Sequence, residues 1–246
     1  MTLKNADYIL TVPSYIIPGT YLENVNYLKS IPEIKGVELL FFFYDEQTRN
    51  LFLKEKNDIK KHTDRFFFTV HMPDLIKLEH EIILKMTFDF VSHYIVHPPE
   101  SGAEITFLNL IKTWSQKYKA VFVLENIVGR DWQSVISMTE LLLCVDTGHL
   151  LLTKQNPLSV INQCKSKIRE IHLHGLSDYK KQQKENSLTG MDHETENSLK
   201  DHGFITGLEE WFKEIIPFIK TYHGFLNIEV FNEQNLKLCL ECLKNI

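Results

Sequence analysis

Six short apolar runs in this chain each end on a carboxylate or an imidazole. Arg65-Phe-Phe-Phe-Thr-Val-His71 and His93-Tyr-Ile-Val-His97 end on histidine, and Lys119-Ala-Val-Phe-Val-Leu-Glu125 on glutamate. Leu141-Leu-Leu-Cys-Val-Asp146 ends on aspartate with His149 three residues on, Ile168-Arg-Glu-Ile-His172-Leu-His174 carries two histidines, and Phe225-Leu-Asn-Ile-Glu229 closes the series. Singly, each has an ordinary explanation: a His at a strand end is usually hydrogen-bonded into the structure, and an Asp or Glu there usually caps the next helix. Six in succession are different, because carboxylates and imidazoles gathered at one mouth are costly without a cation. Neutral histidines with two or more carboxylates suit a divalent metal, zinc first, with manganese or iron as alternatives.

These residues need elements that bring them to one place. Strands are predicted at Tyr8–Val12, Gly36–Phe43, Arg65–His71, His93–His97, Lys119–Asn126, Leu141–Asp146, Ile168–Gly175 and Phe225–Phe231. Helical periodicity separates them, as over Tyr21–Ser30, Glu46–Asp64, Asp74–Phe90, Ala103–Tyr118, Gly207–Lys220 and Glu233–Leu243. Asn156-Pro157 opens another helix, with Asn as cap and Pro at the first helical position. Eight alternating β and α signals predict an α/β fold, a single-domain (β/α)8 TIM barrel over residues 1–246 with its metal site at the C-terminal face of the strands. A doubly wound open sheet is disfavoured, because Pro13–Gly19 contains no glycine-rich phosphate turn after the first strand. Side chains alternate along a strand, so Thr69 with His71, His93 with His97, Val123 with Glu125, Leu142 and Cys144 with Asp146, His172 with His174, and Asn227 with Glu229 each share a side. Thr147-Gly148 is read as a turn that swings His149 over the site.

The 246 residues are 43% hydrophobic and 24% charged, an ordinary globular composition. A net charge of −5, with only four Arg among 27 basic residues, argues against nucleic acid or an anionic membrane as partner. No apolar run approaches the roughly 20 residues of a membrane span, and Asp7 and Pro13 interrupt any signal-peptide core. A cytoplasmic location follows, and four cysteines fit a reducing compartment. Cys239-x-x-Cys242 lies in a terminal helix pattern and reads as two small apolar residues. His62, His80, His202 and His223 read as solvated, and Glu38 as equally able to point into the barrel or to cap an edge. The long polar segment 176–206 contains Gly190-Met-Asp192-His193, and its length after a barrel strand points to a lid or binding element.

With those residues in order, the chain resembles the xylose-isomerase-like barrels that include endonuclease IV. Thr69-Val-His71, His97, Leu124-Glu125-Asn126, Val145-Asp146-Thr-Gly-His149, Ile171-His172-Leu and Ile228-Glu229-Val carry the resemblance across nearly the whole barrel. Likeness to endonuclease IV implies two or three zinc ions. His71, His97 and Glu125 would hold one, Glu125 with Asp146, His172 and Glu229 a second, and His149 with Asp192 and His193 a third. Asp192 and His193 are adjacent here, whereas endonuclease IV separates its Asp and His by one residue. Ser14–Pro18 with Leu22–Val25, Val37–Leu40, Phe68–Pro73, Cys144–Leu151, Ile171–Gly175 and Glu229-Val-Phe231 further resemble the cobamide-remodelling phosphodiesterases. That likeness implies hydrolysis of the nucleotide-loop phosphodiester of a corrinoid, with Glu125 and Glu229 as catalytic groups and His174 touching phosphate or a metal ligand.

Two other activities fit subsets of the same residues. Glu125, Asp146, His172 and Glu229 alone match the single-metal set of sugar isomerases and epimerases, in which two Glu move a proton beside a carbonyl. His71, His97 and His149 exceed that scheme and favour the phosphodiesterase. A DNA-repair endonuclease fits the cluster but not the acidity or the short loops.

Overall fold

A period-two apolar pattern in eight short segments, each followed by an amphipathic one, leaves a single economical packing: a parallel sheet closed on itself with helices outside. The computed structural model, which describes residues 7–42, 44–176 and 202–246, has that architecture. Strands β1 (Ile9–Pro13), β2 (Gly36–Leu40), β3 (Phe67–His71), β4 (Val91–Val96), β5 (Phe122–Glu125), β6 (Leu142–Asp146), β7 (Ile168–Leu173) and β8 (Phe225–Ile228) form a closed barrel in sequence order. Every neighbouring pair is parallel, including β1 with β8. All strand C-termini therefore open on one face.

The helices among the described residues are α1 (Tyr21–Leu28), α2 (Glu46–Lys60), α3 (Glu81–Thr87), α4 (Glu104–Tyr118), α5 (Trp132–Ser137), α6 (Thr147–Leu152), α7 (Pro157–Cys164), α8 (Glu210–Ile219) and α9 (Glu233–Lys244). Their starts are fixed locally. A Thr20/Glu23 capping box opens α1, and the side chains of Asp45, Asp131, Asn156 and Asn232 accept from the first turns of α2, α5, α7 and α9. Two expectations change here. The segment 74–90 is a 3-10 turn (Leu78–His80) followed by the shorter α3. Thr147-Gly148 is the first turn of α6, because Asp146 caps it by accepting from the His149 N–H.

The main core lies between barrel and helices, with Phe68, Tyr94, Trp114, Phe122, Phe52 and Phe212 buried in it. Inside the barrel the apolar content is small: Ile95, Val123 and Cys144 with Leu142. Phe225 stands edge-on to His93 at 4.7 Å, and most of the remaining interior is polar. Thr11, Glu38, Thr69, His93, Glu170, His172 and Asn227 are fully buried there. Among the described residues no helix is long and apolar enough to cross a membrane.

Candidate metal centre

Four consecutive strands deliver four donors to one point. Glu125 ends β5, Asp146 ends β6, His172 is the penultimate residue of β7, and Glu229 follows β8. One ligand-type atom from each lies within 4.8 Å of all the others, and all four side chains are buried. His172 Nδ1 stands 3.2 Å from Glu125 Oε1, 3.2 Å from Glu229 Oε2 and 3.9 Å from Asp146 Oδ2. Despite that proximity His172 Nδ1 and Glu229 Oε2 make no hydrogen bond. Buried polar atoms are rarely orphaned, and two that converge on shared carboxylates fit a cation between them. Three carboxylates and one imidazole form a donor set for manganese, cobalt or zinc.

The surrounding contacts hold these donors in place. Asn126 clamps the Asp146 backbone, its Oδ1 accepting from Asp146 N (2.8 Å) and its Nδ2 donating to Asp146 O (3.0 Å). Asp146 Oδ1 accepts from His149 N at 2.6 Å, so this residue both caps α6 and turns its other oxygen to the cluster. That second oxygen accepts from His174 Nε2 at 2.9 Å. The proton on Nε2 leaves His174 Nδ1 to accept the His202 N–H at 2.9 Å. His149 donates from Nδ1 to the Asn126 carbonyl at 2.8 Å. His71 Nε2 and His97 Nε2 both contact Glu125 Oε2, at 3.1 and 3.2 Å, while His71 Nδ1 donates to the Met72 carbonyl at 3.0 Å. His97 Nδ1 meets Asp74 Oδ1 at 2.8 Å, and Asp74 is held in turn by Arg130, which also donates to the carbonyls of Asp74 and Pro98.

Burial opposes ionisation of Glu125, but the neighbouring His172 and the hydrogen bonds of His71 and His97 hold its carboxyl well below the ordinary range. Glu229 is likewise held well below it, burial being outweighed by His172 and His202. Burial works against the charge of His71 too, yet the hydrogen bond and charge of Glu125 push its value from 6.5 up to about 9. A folded-state value raised in this way contributes stability that is complete below about 6.5 and is lost as pH rises through about 9. Chelator-treated protein is therefore expected to melt at progressively lower temperature from pH 6.5 to 9. Thermal melts across that range check it, and a flat or rising profile would contradict this electrostatic picture.

Of the residues expected from sequence, His71, His97, Glu125, Asp146, His149, His172, His174 and Glu229 gather at this mouth. Asp192 and His193 lie outside the described residues. Glu38 points inward, onto His172 Nε2. His202 is corrected: its ring lies tilted against His174 (4.6 Å) and edge-on to Phe231 (4.6 Å), with Nδ1 3.7 Å from Glu229 Oε2. His80 is also corrected, being 8% exposed and edge-on to Tyr44. Asp74, Arg130 and Glu170 were missed. Asp74 and Arg130 sit in loops past the strand tips, where period-two alternation gives no signal. A cavity of about 210 Å³ opens beside His149, lined by Asn126, Arg130, Trp132, Thr153 and Gln155 among others.

No protein-family model and no curated protein matches the chain. Solved structures do. A probable 3-DHS dehydratase involved in petrobactin synthesis from Bacillus anthracis matches with a TM-score of 0.65 and 14% identity, covering 95% of this chain and 98% of that one. A 3-keto-D-glucoside 4-epimerase from E. coli matches with a TM-score of 0.60 and 11% identity, covering 96% and 97%. An L-ribulose 3-epimerase matches with a TM-score of 0.56 and 12% identity, covering 94% and 85%. At these identities the likeness establishes the fold alone, a closed parallel (β/α)8 barrel. The expected cobamide phosphodiesterase is corrected. The barrels matched end to end are named as epimerases and a dehydratase, and four donors converge on one point while His97 and His149 are engaged by Asp74 and Asn126.

Proposed function

We propose that the chain is a metal-dependent sugar isomerase or epimerase of the xylose-isomerase-like superfamily, acting on a small polyhydroxylated ketone. The observation that carries this reading is the convergence of Glu125, Asp146, His172 and Glu229 on one buried point. Two neighbours named as epimerases of a ketoglucoside and a ketose, and a third named as a sugar phosphate isomerase/epimerase from Parabacteroides distasonis, support it.

These four residues would hold one divalent ion, which when bound supplies Lewis-acid polarisation of a carbonyl oxygen. The protein then has to break a C–H bond beside that carbonyl. One of Glu125 and Glu229 takes the proton from carbon and the electron pair moves into the carbonyl; the other, after taking up a proton from solvent, delivers it to the same or the adjacent carbon, and the first releases its proton to solvent. Both carboxyls are held ionised, as a base requires, and they come from different strands, so they can serve different faces of the substrate. His71 and His97 occupy Glu125 Oε2 and leave Oε1 on the side of His172. We assign them this anchoring role in place of further metal ligation. His149, beside the cavity, is positioned to contact a substrate hydroxyl, while His174 holds Asp146 from behind.

The test is deuterium exchange. Protein loaded with manganese, cobalt or zinc is incubated in D2O with a panel of ketoses and ketose phosphates, and the carbon next to the carbonyl is followed by NMR. At least one sugar is expected to take up deuterium in an ion-dependent way. Absence of exchange with every sugar and every ion would overturn the assignment.

A further inference from the structure

The barrel interior beneath the metal centre holds polar residues that the proposed reaction does not use. Glu38 lies in the middle of β2, completely buried, where an ionised carboxylate is tolerated only if its oxygens are matched by donors. Both are matched. Oε1 accepts from Asn227 Nδ2 at 3.0 Å, and Oε2 stands 3.2 Å from His172 Nε2. Glu170 is the other carboxylate at this depth, but it is taken up by His93 and its Oε1 is 3.9 Å from His172 Nε2. His172 thus lies between two different environments: Nε2 faces Glu38 below, and Nδ1 faces Glu125 and Glu229 above.

We propose that Glu38 is the positioning residue of the metal centre, holding the His172 proton on Nε2 so that the Nδ1 lone pair is presented to the ion. A neutral imidazole carries one proton, and only the nitrogen without it can ligate. A carboxylate at Nε2 accepts that proton's hydrogen bond and cannot donate one, so it selects a single tautomer and also fixes the ring plane. Asn227 keeps Glu38 from turning away, and it does so from β8, the strand that leads into Glu229. Asn227 and His172 are paired in register across β7 and β8, so the carboxylate, the imidazole and the amide form one column beneath the four converging donors. Glu38 is not one of the four converging donors Glu125, Asp146, His172 and Glu229. It acts through His172.

This inference rests on the single-ion reading above, and its test separates the two. Metal-free full-length protein is titrated with cobalt(II), following the visible absorption spectrum, for wild type and Glu38→Gln. An amide at this position can present N–H to His172 Nε2, which favours the wrong tautomer. Glu38→Gln is therefore expected to bind cobalt about 10- to 100-fold more weakly, with an altered spectrum and an unchanged circular dichroism spectrum. Asn227→Ala, which keeps the Glu38 charge and withdraws one hydrogen bond, should show a smaller loss in the same direction. In zinc-loaded wild type, 15N NMR of His172 should show Nε2 protonated and Nδ1 bound. That measurement stands even if Glu38→Gln fails to fold. Unchanged cobalt affinity and spectrum in a folded Glu38→Gln, or Nε2 ligation in the wild type, would overturn the proposal while leaving the single-ion reading intact. Failure of wild-type protein to bind any divalent ion would overturn both.

Discussion

Glu229→Gln turns over about 10²- to 10⁴-fold more slowly than wild type at saturating metal, the range that a positioned acid or base contributes. The amide is isosteric, so the barrel should fold. What disappears is the group that accepts a proton from carbon, and no other carboxylate can replace it: Asp146 is committed to the α6 cap and to His174, and Glu125 to the opposite step. The ion will also bind more weakly, because Glu229 Oε2 is one of the converging donors. The two effects separate by measuring kcat and solvent-deuterium exchange with the sugar found by exchange, at ion concentrations high enough to saturate each variant. Glu125→Gln should behave alike. A loss confined to ion affinity, with wild-type kcat at saturation, would remove Glu229 from the proton transfer.

The second large effect is steric. Gly148→Ala places a Cβ 1.9 Å from His174 Cε1 and 2.4 Å from its Nδ1. The ring it meets is fully buried and pinned between Asp146 and the His202 N–H, so it has little room to retreat. Helix propensity alone would make Ala about 0.5–1 kcal/mol better than Gly at this position in α6. Overpacking opposes that gain with about 3 kcal/mol, and at this chain length each kcal/mol lowers Tm by about 2–4 °C. The expected result is a lower Tm together with weakened ion binding, since His174 can move only by releasing Asp146. Differential scanning calorimetry with a metal titration checks both, and a Tm above wild type would show that the ring yields freely.

Strand order, barrel closure and most of the mouth were legible in the sequence, because strand alternation places residues two apart on one side and barrel topology does the rest. His71, Glu125, Asp146, His172 and Glu229 were found that way. Glu38 was ambiguous because burial on both faces of a strand erases the alternation that would have assigned its side. Asp74 and Arg130 depend on where two loops meet, and no local pattern carries that information. His202 sits in a polar stretch that reads as solvated. Its place is set by a tertiary contact, the antiparallel bridge between Gly175 and Gly203 that brings the chain back to the mouth. The activity went astray for a related reason. Seven or more metal-competent residues suggested several ions and a phosphodiester, but residue type does not say whether an imidazole ligates or hydrogen-bonds. His97 lies between Asp74 and Glu125, His71 between the Met72 carbonyl and Glu125, and His149 against the Asn126 carbonyl, each with a partner of its own.

The proposed activity depends on Glu125, Asp146, His172 and Glu229 together holding one divalent ion. Elemental analysis of purified protein, wild type beside Asp146→Asn, tests it most directly. About one divalent ion per wild-type chain is expected, removable by chelation and restored on adding metal, with a clear deficit in the variant. A wild-type chain with none, with two or three, or with the same content as Asp146→Asn would contradict it.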